Sequence, residues 1–130
     1  MIRNTALIIP ILAAALAMPA TAQQRYRNWQ TIGERTIAFG VDRDTIAVRG
    51  DRRHAQVRIC ALRRDFKLLD ADVKFANGGE QDISESRTIR AGSCSGPVDL
   101  RGQRRDIAAV KLFYSRFNRG GAPIVRVQAR

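Results

Sequence analysis

"DADVKFANGGEQD", residues 70–82, is the stretch on which the fold turns. Ala71, Val73 and Phe75 alternate with Asp70, Asp72 and Lys74. A period of two puts the apolar side chains on one face of a strand and the charged ones on the other. Asn77-Gly78 then interrupts the alternation with a pair suited to a tight hairpin, in which both central residues take positive φ. The segment reads as a half-buried strand turning back on itself in an antiparallel sheet.

The same grammar continues in both directions. Short runs rich in β-branched and aromatic residues are separated by Gly, Asn, Asp and Arg clusters, and no long amphipathic helical pattern follows the N-terminal region. The expected strands are Trp29–Ile32, Thr36–Phe39, Thr45–Val48, Gln56–Leu62, Phe66–Ala76, Ile83–Arg90, Ile107–Arg116 and Ile124–Ala129, with a short extended piece at Val98–Leu100. Val57, Ile59 and Ala61 form another inward set. Ile107–Tyr114 is apolar on both parities apart from Lys111, which suits the middle of a sheet; a buried helix is the competing reading of that run. The pattern predicts an all-β chain, a single-domain, two-layer antiparallel β-sandwich of about eight strands, jelly-roll-like in arrangement.

The N-terminus has a different character. Arg3 precedes an apolar run of 13 residues, Ala6–Met18, and Ala20-Thr21-Ala22 offers small residues where a signal peptidase reads. A membrane-spanning helix needs about 20 apolar residues, so the run does not make an anchor. Residues 1–22 are expected to be a cleavable signal peptide, and residues 23–130 the β-sandwich domain of a periplasmic or secreted protein.

Charge is the most pronounced feature of the composition. The chain holds 23 Lys+Arg against 12 Asp+Glu; without Arg3, 22 basic side chains face 12 acidic ones, a net charge of +10. Lysine accounts for only Lys67, Lys74 and Lys111. Two readings stand side by side: an anionic partner such as nucleic acid, acidic polysaccharide or a membrane surface, or an arginine-rich composition inherited from the coding bias of the genome.

Four stretches, "NWQTIGERTI", "VDRDTIAV", "VKFANGGEQDI" and "SGPVDLRGQRRDI", together resemble a family of small exported bacterial proteins with no assigned activity. The shared features are a tryptophan-led first strand, a D-x-D-x-I turn and strand, an N-G hairpin and a D-L-x-G-x-x-R-x-I segment, spanning about Trp29 to Val127. The resemblance implies a β-sandwich and export. It implies no reaction.

Candidate chemistry is sparse. Gly92-Ser93-Cys94-Ser95-Gly96 has the outline of a nucleophile elbow, but Pro97 and an extended Val98–Leu100 follow where a helix should start. The base would have to be His54, the one histidine, in a positively charged "GDRRHAQ" loop. Two cysteines and one histidine lack zinc-site spacing, so no metal and no cofactor is expected. Asp42/Asp44 and Asp70/Asp72 do not continue as calcium loops, and Asp42–Asp44 reads mainly as a structural turn. Asp70/Asp72 point the same way on a strand and could serve a small glycosidase-like hydrolase. A solvated face neutralised by Lys74 is the simpler reading.

Cys60 and Cys94 are expected to form a disulfide, since the chain has two cysteines, a small domain and an export signal. Nucleic acid is an unexpected partner for an exported protein; its aromatics fall at core positions by pattern, and only Tyr26 looks free. If successive loops alternate between the ends of the sandwich, 49–54, 77–81 and 101–105 share one end. Arg49, Arg52, Arg53, Arg101, Arg104 and Arg105 would gather there, with Asp51, Glu80 and Asp106 as counter-charges, and Arg63, Arg64, Arg116 and Arg119 at the other. These arginines either pair locally or make an anion-binding pole. The sequence thus predicts a non-enzymatic binding or structural module of the cell envelope. Its expected partner is an anionic envelope component or a protein, with peripheral membrane contact allowed and no transmembrane anchor.

Overall fold

The strands follow the alternation of apolar side chains. The computed structural model describes residues 28–50, 52–83, 86–117 and 120–130, and the expected signal peptide, Gln23, Tyr26, Asp51 and Arg119 lie outside them. The ten strands among the described residues are β1 (Gln30–Thr36), β2 (Arg43–Ala47), β3 (Arg53–His54), β4 (Gln56–Leu62), β5 (Phe66–Phe75), β6 (Glu80–Asp82), β7 (Arg87–Ile89), β8 (Val98–Asp99), β9 (Arg105–Tyr114) and β10 (Ile124–Ala129). One sheet has the order β1-β10-β4-β8. The other runs β2-β9-β5-β6, with β3 also pairing β9 and β7 also pairing β5. All the strand pairs are antiparallel.

The two sheets bury their apolar faces against each other. Val57, Ile59 and Ala61 of β4 and Val125, Val127 and Ala129 of β10 supply one side of the core. Leu68, Ala71, Val73, Val110, Leu112 and Tyr114 supply the other. Phe66 and Tyr114 meet with ring centroids 5.0 Å apart. On β5, inward residues change parity from Phe66 and Leu68 to Ala71, Val73 and Phe75. The register shift between Leu68 and Asp70 absorbs that change and leaves Leu69 exposed. Asp70 Oδ1 accepts the Ala71 N–H at 2.9 Å beside the shift.

A disulfide joins Cys60 to Cys94, as expected from two cysteines in a small domain read as exported. The segment carrying Cys94 lies along the end of β4: Ala61 N–H donates to Ser93 O at 3.0 Å, and Ser95 N–H to Ile59 O at 2.7 Å. Asp65 Oδ1 accepts the Ala91 N–H at 2.9 Å, which places this loop at the end that holds 63–65.

Four local expectations are corrected. Trp29–Ile32 and Thr36–Phe39 are not two strands; β1 runs unbroken through Gly33-Glu34-Arg35. The glycine that resembles a turn is instead a close-contact residue, because a Cβ there would lie 2.6 Å from Ile46 Cγ2 and 2.9 Å from Ala47 O. The expected strand Ile83–Arg90 is replaced by β6 before it and β7 within it, both on the same edge of β5. The hairpin at Asn77-Gly78 exists, but only Gly78 takes positive φ (92°). Asn77 contributes its side chain, with Oδ1 accepting the Gly79 N–H at 3.0 Å. His54 belongs to a strand, β3, and not to a loop.

Candidate functional site

Several contacts gather three loop regions at one end. β3 pairs with the start of β9, Arg53 opposite Asp106 and His54 opposite Arg105. Buried Gln81 ties 99–101 to β6: its Nε2 donates to Asp99 O at 2.9 Å, and its Oε1 accepts the Arg101 N–H at 2.8 Å. Gly102 (φ 85°) and Gln103 (φ 70°) both take left-handed backbone and turn the chain back into β9. The loops 52–54, 77–81 and 101–105 therefore meet.

Arg105 is the centre of this end. Its guanidinium carbon lies 3.7 Å from the centroid of Phe75. Nη1 donates to Arg101 O at 3.1 Å and Nη2 to Asn77 Oδ1 at 3.2 Å. Neutral acceptors and an aromatic face hold the cation, so these contacts orient it without cancelling its charge. Arg53, Arg104, Arg105 and Asp106 line a shallow cleft of about 350 Å³ with Phe75 and Asn77. Asp106 Oδ1 is buried there with no hydrogen-bond partner among the described residues. Arg49 is not part of this cleft. It borders a separate groove of about 530 Å³ between β1 and β2. Arg52 and Arg101 are exposed nearby in the chain.

The acidic residues form a separate group. Asp70, Asp72 and Asp82 bring carboxylate oxygens within 4.8 Å of one another, an arrangement that could take a cation. Burial, then a hydrogen bond and the charge of Asp82, push the Asp70 carboxyl up; burial and the charges of Asp82 and Glu80 do the same to Asp72. Lys111 and Lys74 oppose the shift at Asp72. The group stands on the outer face of the six-stranded sheet, with Lys74 itself paired to Glu80 at 3.2 Å. Asp42 and Asp44 act in different contacts: Asp42 takes Arg116 and Arg43, while Asp44 takes Arg35 at 2.8 Å. His54 is buried, and burial holds its pKa below the usual imidazole range; Arg52 adds to the shift and Asp106 opposes it.

The sequence reading missed one cluster. Trp29 is half-buried on the outer face of the four-stranded sheet, with the guanidinium carbons of Arg58 and Arg130 at 4.4 and 4.5 Å from its ring centroid. Phe39 is 52% exposed and pairs with Phe117 at 4.9 Å, so the aromatics are less uniformly internal than their pattern predicts. The available signal was parity: Gln56 and Arg58 share the outward face of β4, and Gln128 and Arg130 the outward face at β10.

A family model described as a domain of unknown function (DUF2541) matches residues 7–129. No curated protein matches the chain. A solved structure titled "Structural and functional characterization of Pseudomonas aeruginosa AlgX" is similar over 78% of this chain and 26% of that one, with 11% identity and a TM-score of 0.49. The chain thus spans about a quarter of the length of that protein.

Proposed function

The chain belongs to the DUF2541 family of unknown function, and from that premise we propose that it is an exported, non-enzymatic module that holds an anionic component of the cell envelope at its arginine-rich end. The observation that carries the reading is the cleft that Arg53, Arg104 and Arg105 line together, with the Arg105 guanidinium carbon 3.7 Å from the Phe75 ring centroid. A guanidinium fixed by neutral neighbours is a prepaid anion contact, since little side-chain freedom remains to be lost on binding. The disulfide supports export, because such cross-links persist in oxidising compartments. A non-enzymatic role is supported by the cysteines being cross-linked and by the histidine being buried with its pKa held below the usual imidazole range.

The test is sedimentation with anionic vesicles and, in a parallel arm, with an acidic polysaccharide. Binding should weaken steeply between low and physiological salt, where screening shortens to roughly 8 Å. Charge reversal at Arg52, Arg53 and Arg104 should abolish it, and reversal at Arg63, Arg64 and Arg116 should leave most of it. Equal loss from both sets would make net charge the whole cause and sink the localised site. The arm that binds identifies the component.

A further inference from the structure

One carboxylate oxygen beside the arginine-lined cleft has no donor. Asp106 lines the cleft, yet its Oδ1 is buried without a hydrogen-bond partner among the described residues. An acceptor left in that state costs stability. An oxygen shut away from solvent is also closed to a ligand in the cleft, so its donor comes from within the protein. His54, 7% exposed, is the side chain placed to supply one. β3 and β9 pair with Arg53 opposite Asp106 and His54 opposite Arg105, which sets His54 one residue along from the position facing Asp106.

The charges around His54 decide when it can do so. Its own strand and the residue before it bring Arg53 and Arg52, and β9 with the turn before it brings Arg101, Arg104, Arg105 and Asp106. Two backbone contacts of Ala55 add the chain on the other side: Ala55 N–H donates to Arg130 O, and Leu100 N–H, beside Asp99, donates to Ala55 O, both at 2.8 Å. Asp51 lies outside the described residues. Guanidiniums thus outnumber carboxylates on the elements around the ring. Burial first and Arg52 last hold the imidazole below its usual pKa, while Asp106 draws the proton in. Neutral His54 leaves Asp106 Oδ1 unpaired; protonation makes both ring nitrogens donors and supplies a cation beside it.

An anion in the cleft tips this balance. It offsets Arg53, Arg104 and Arg105, so the neighbouring imidazole takes a proton more readily. The proton in turn answers Asp106, the one carboxylate among the residues lining the cleft, and lifts its repulsion of the anion. We propose that His54 is a proton switch behind the cleft: acid charges it, the imidazolium takes Asp106 as its partner, and the cleft then holds an anion more tightly. The coupling is reciprocal, so anion and proton each strengthen the other's binding by the same factor. His54 does not line the cleft and acts through Asp106. The switch rests on the cleft being an anion site, as proposed above.

His54 is the one histidine in the chain, so its imidazole protons titrate alone in the NMR spectrum of the intact protein. Sulfate is the probe, at constant ionic strength, because its charge stays fixed from about pH 8 to about pH 5, the window in which histidine titrates. Sulfate affinity should rise about tenfold down that window, the order of one added charge close to the site. Saturating sulfate should move the His54 titration to higher pH, and should not move it in Arg53→Glu with Arg104→Glu. His54→Gln should bind sulfate as wild type does at the top of the window and lose the rise. Asp106→Asn should lower the His54 titration and bind sulfate more tightly at neutral pH. Circular dichroism at each pH checks that the variants are folded. A rise kept by His54→Gln, or a His54 titration that sulfate leaves in place, would overturn the switch and leave the anion site standing. No sulfate binding at any pH would overturn both.

Discussion

Asp72 and Asp82 stand directly opposite each other on β5 and β6, two carboxylates at a cross-strand position where opposite charges would stabilise the sheet. Asp70 shares the same patch, and a side-chain hydrogen bond between it and Asp82 needs a proton on a carboxyl, which raises the pKa of Asp70.

Asp82→Asn should therefore stabilise the protein at neutral pH, by roughly 0.2–1 kcal/mol, the range for one cross-strand charged pair. The asparagine amide can donate to Asp70 with no shared proton. The Asp70 and Asp72 carboxyls are raised from 3.8, so the folded state binds more protons than the unfolded chain between that value and the raised ones. Wild-type stability from this patch rises as pH falls through the window, and the advantage of the variant should shrink with it. Urea unfolding at several pH values checks both; a constant advantage would show that repulsion is not the cause.

Gly33 marks the seam where β1 passes β2. Gly33→Val should cost about 1–3 kcal/mol, the usual range for overpacking, because its Cβ would meet the Ala47 carbonyl at 2.9 Å as well as Ile46. The carbonyl belongs to the backbone and has little room to give. Chemical denaturation measures the loss, and a neutral substitution would mean that the seam opens easily.

The Cys60–Cys94 link closes a loop with a sequence separation of 34. Removing it as Cys60→Ala with Cys94→Ser should lower stability by ~3.8 kcal/mol in the chain-entropy account. For a domain of this size that corresponds to a melting temperature lower by about 15 °C. Circular dichroism melts of oxidised wild type and the double variant give the comparison. A difference of only a degree or two would leave the cross-link without a stabilising role.

Tyr114 is buried with its hydroxyl donating to Arg43 O at 3.5 Å, and burial first, then Asp44 and Asp42, push its pKa up to about 12. The unfolded chain ionises this phenol near 10, so the folded state loses stability as pH rises from 10 towards about 12. Tyr114→Phe should flatten that part of the stability profile. Ultraviolet titration should show a phenol ionising near 12 in wild type and missing in the variant.

Alternation along 56–62, 70–75 and 124–129 determined the layers, since a period of two with one apolar parity has few packings other than a sheet against a sheet. Two cysteines in a small domain, behind a segment that reads as an export signal, made the cross-link legible, and the D-L-x-G-x-x-R-x-I segment determined a turn that returns into a long strand. Tertiary structure decided matters that depend on distance across the chain. Gly33 reads locally as a turn, and only the approach of Ile46 and Ala47 explains its place inside a strand. Likewise, nothing local distinguishes Arg126, cancelled by Glu34, from Arg58, oriented by Gln128; their partners lie 92 and 70 residues away. Periodicity records which face a side chain takes, whereas the neighbour it meets there is set by strand order and register, which arise only when distant segments pair.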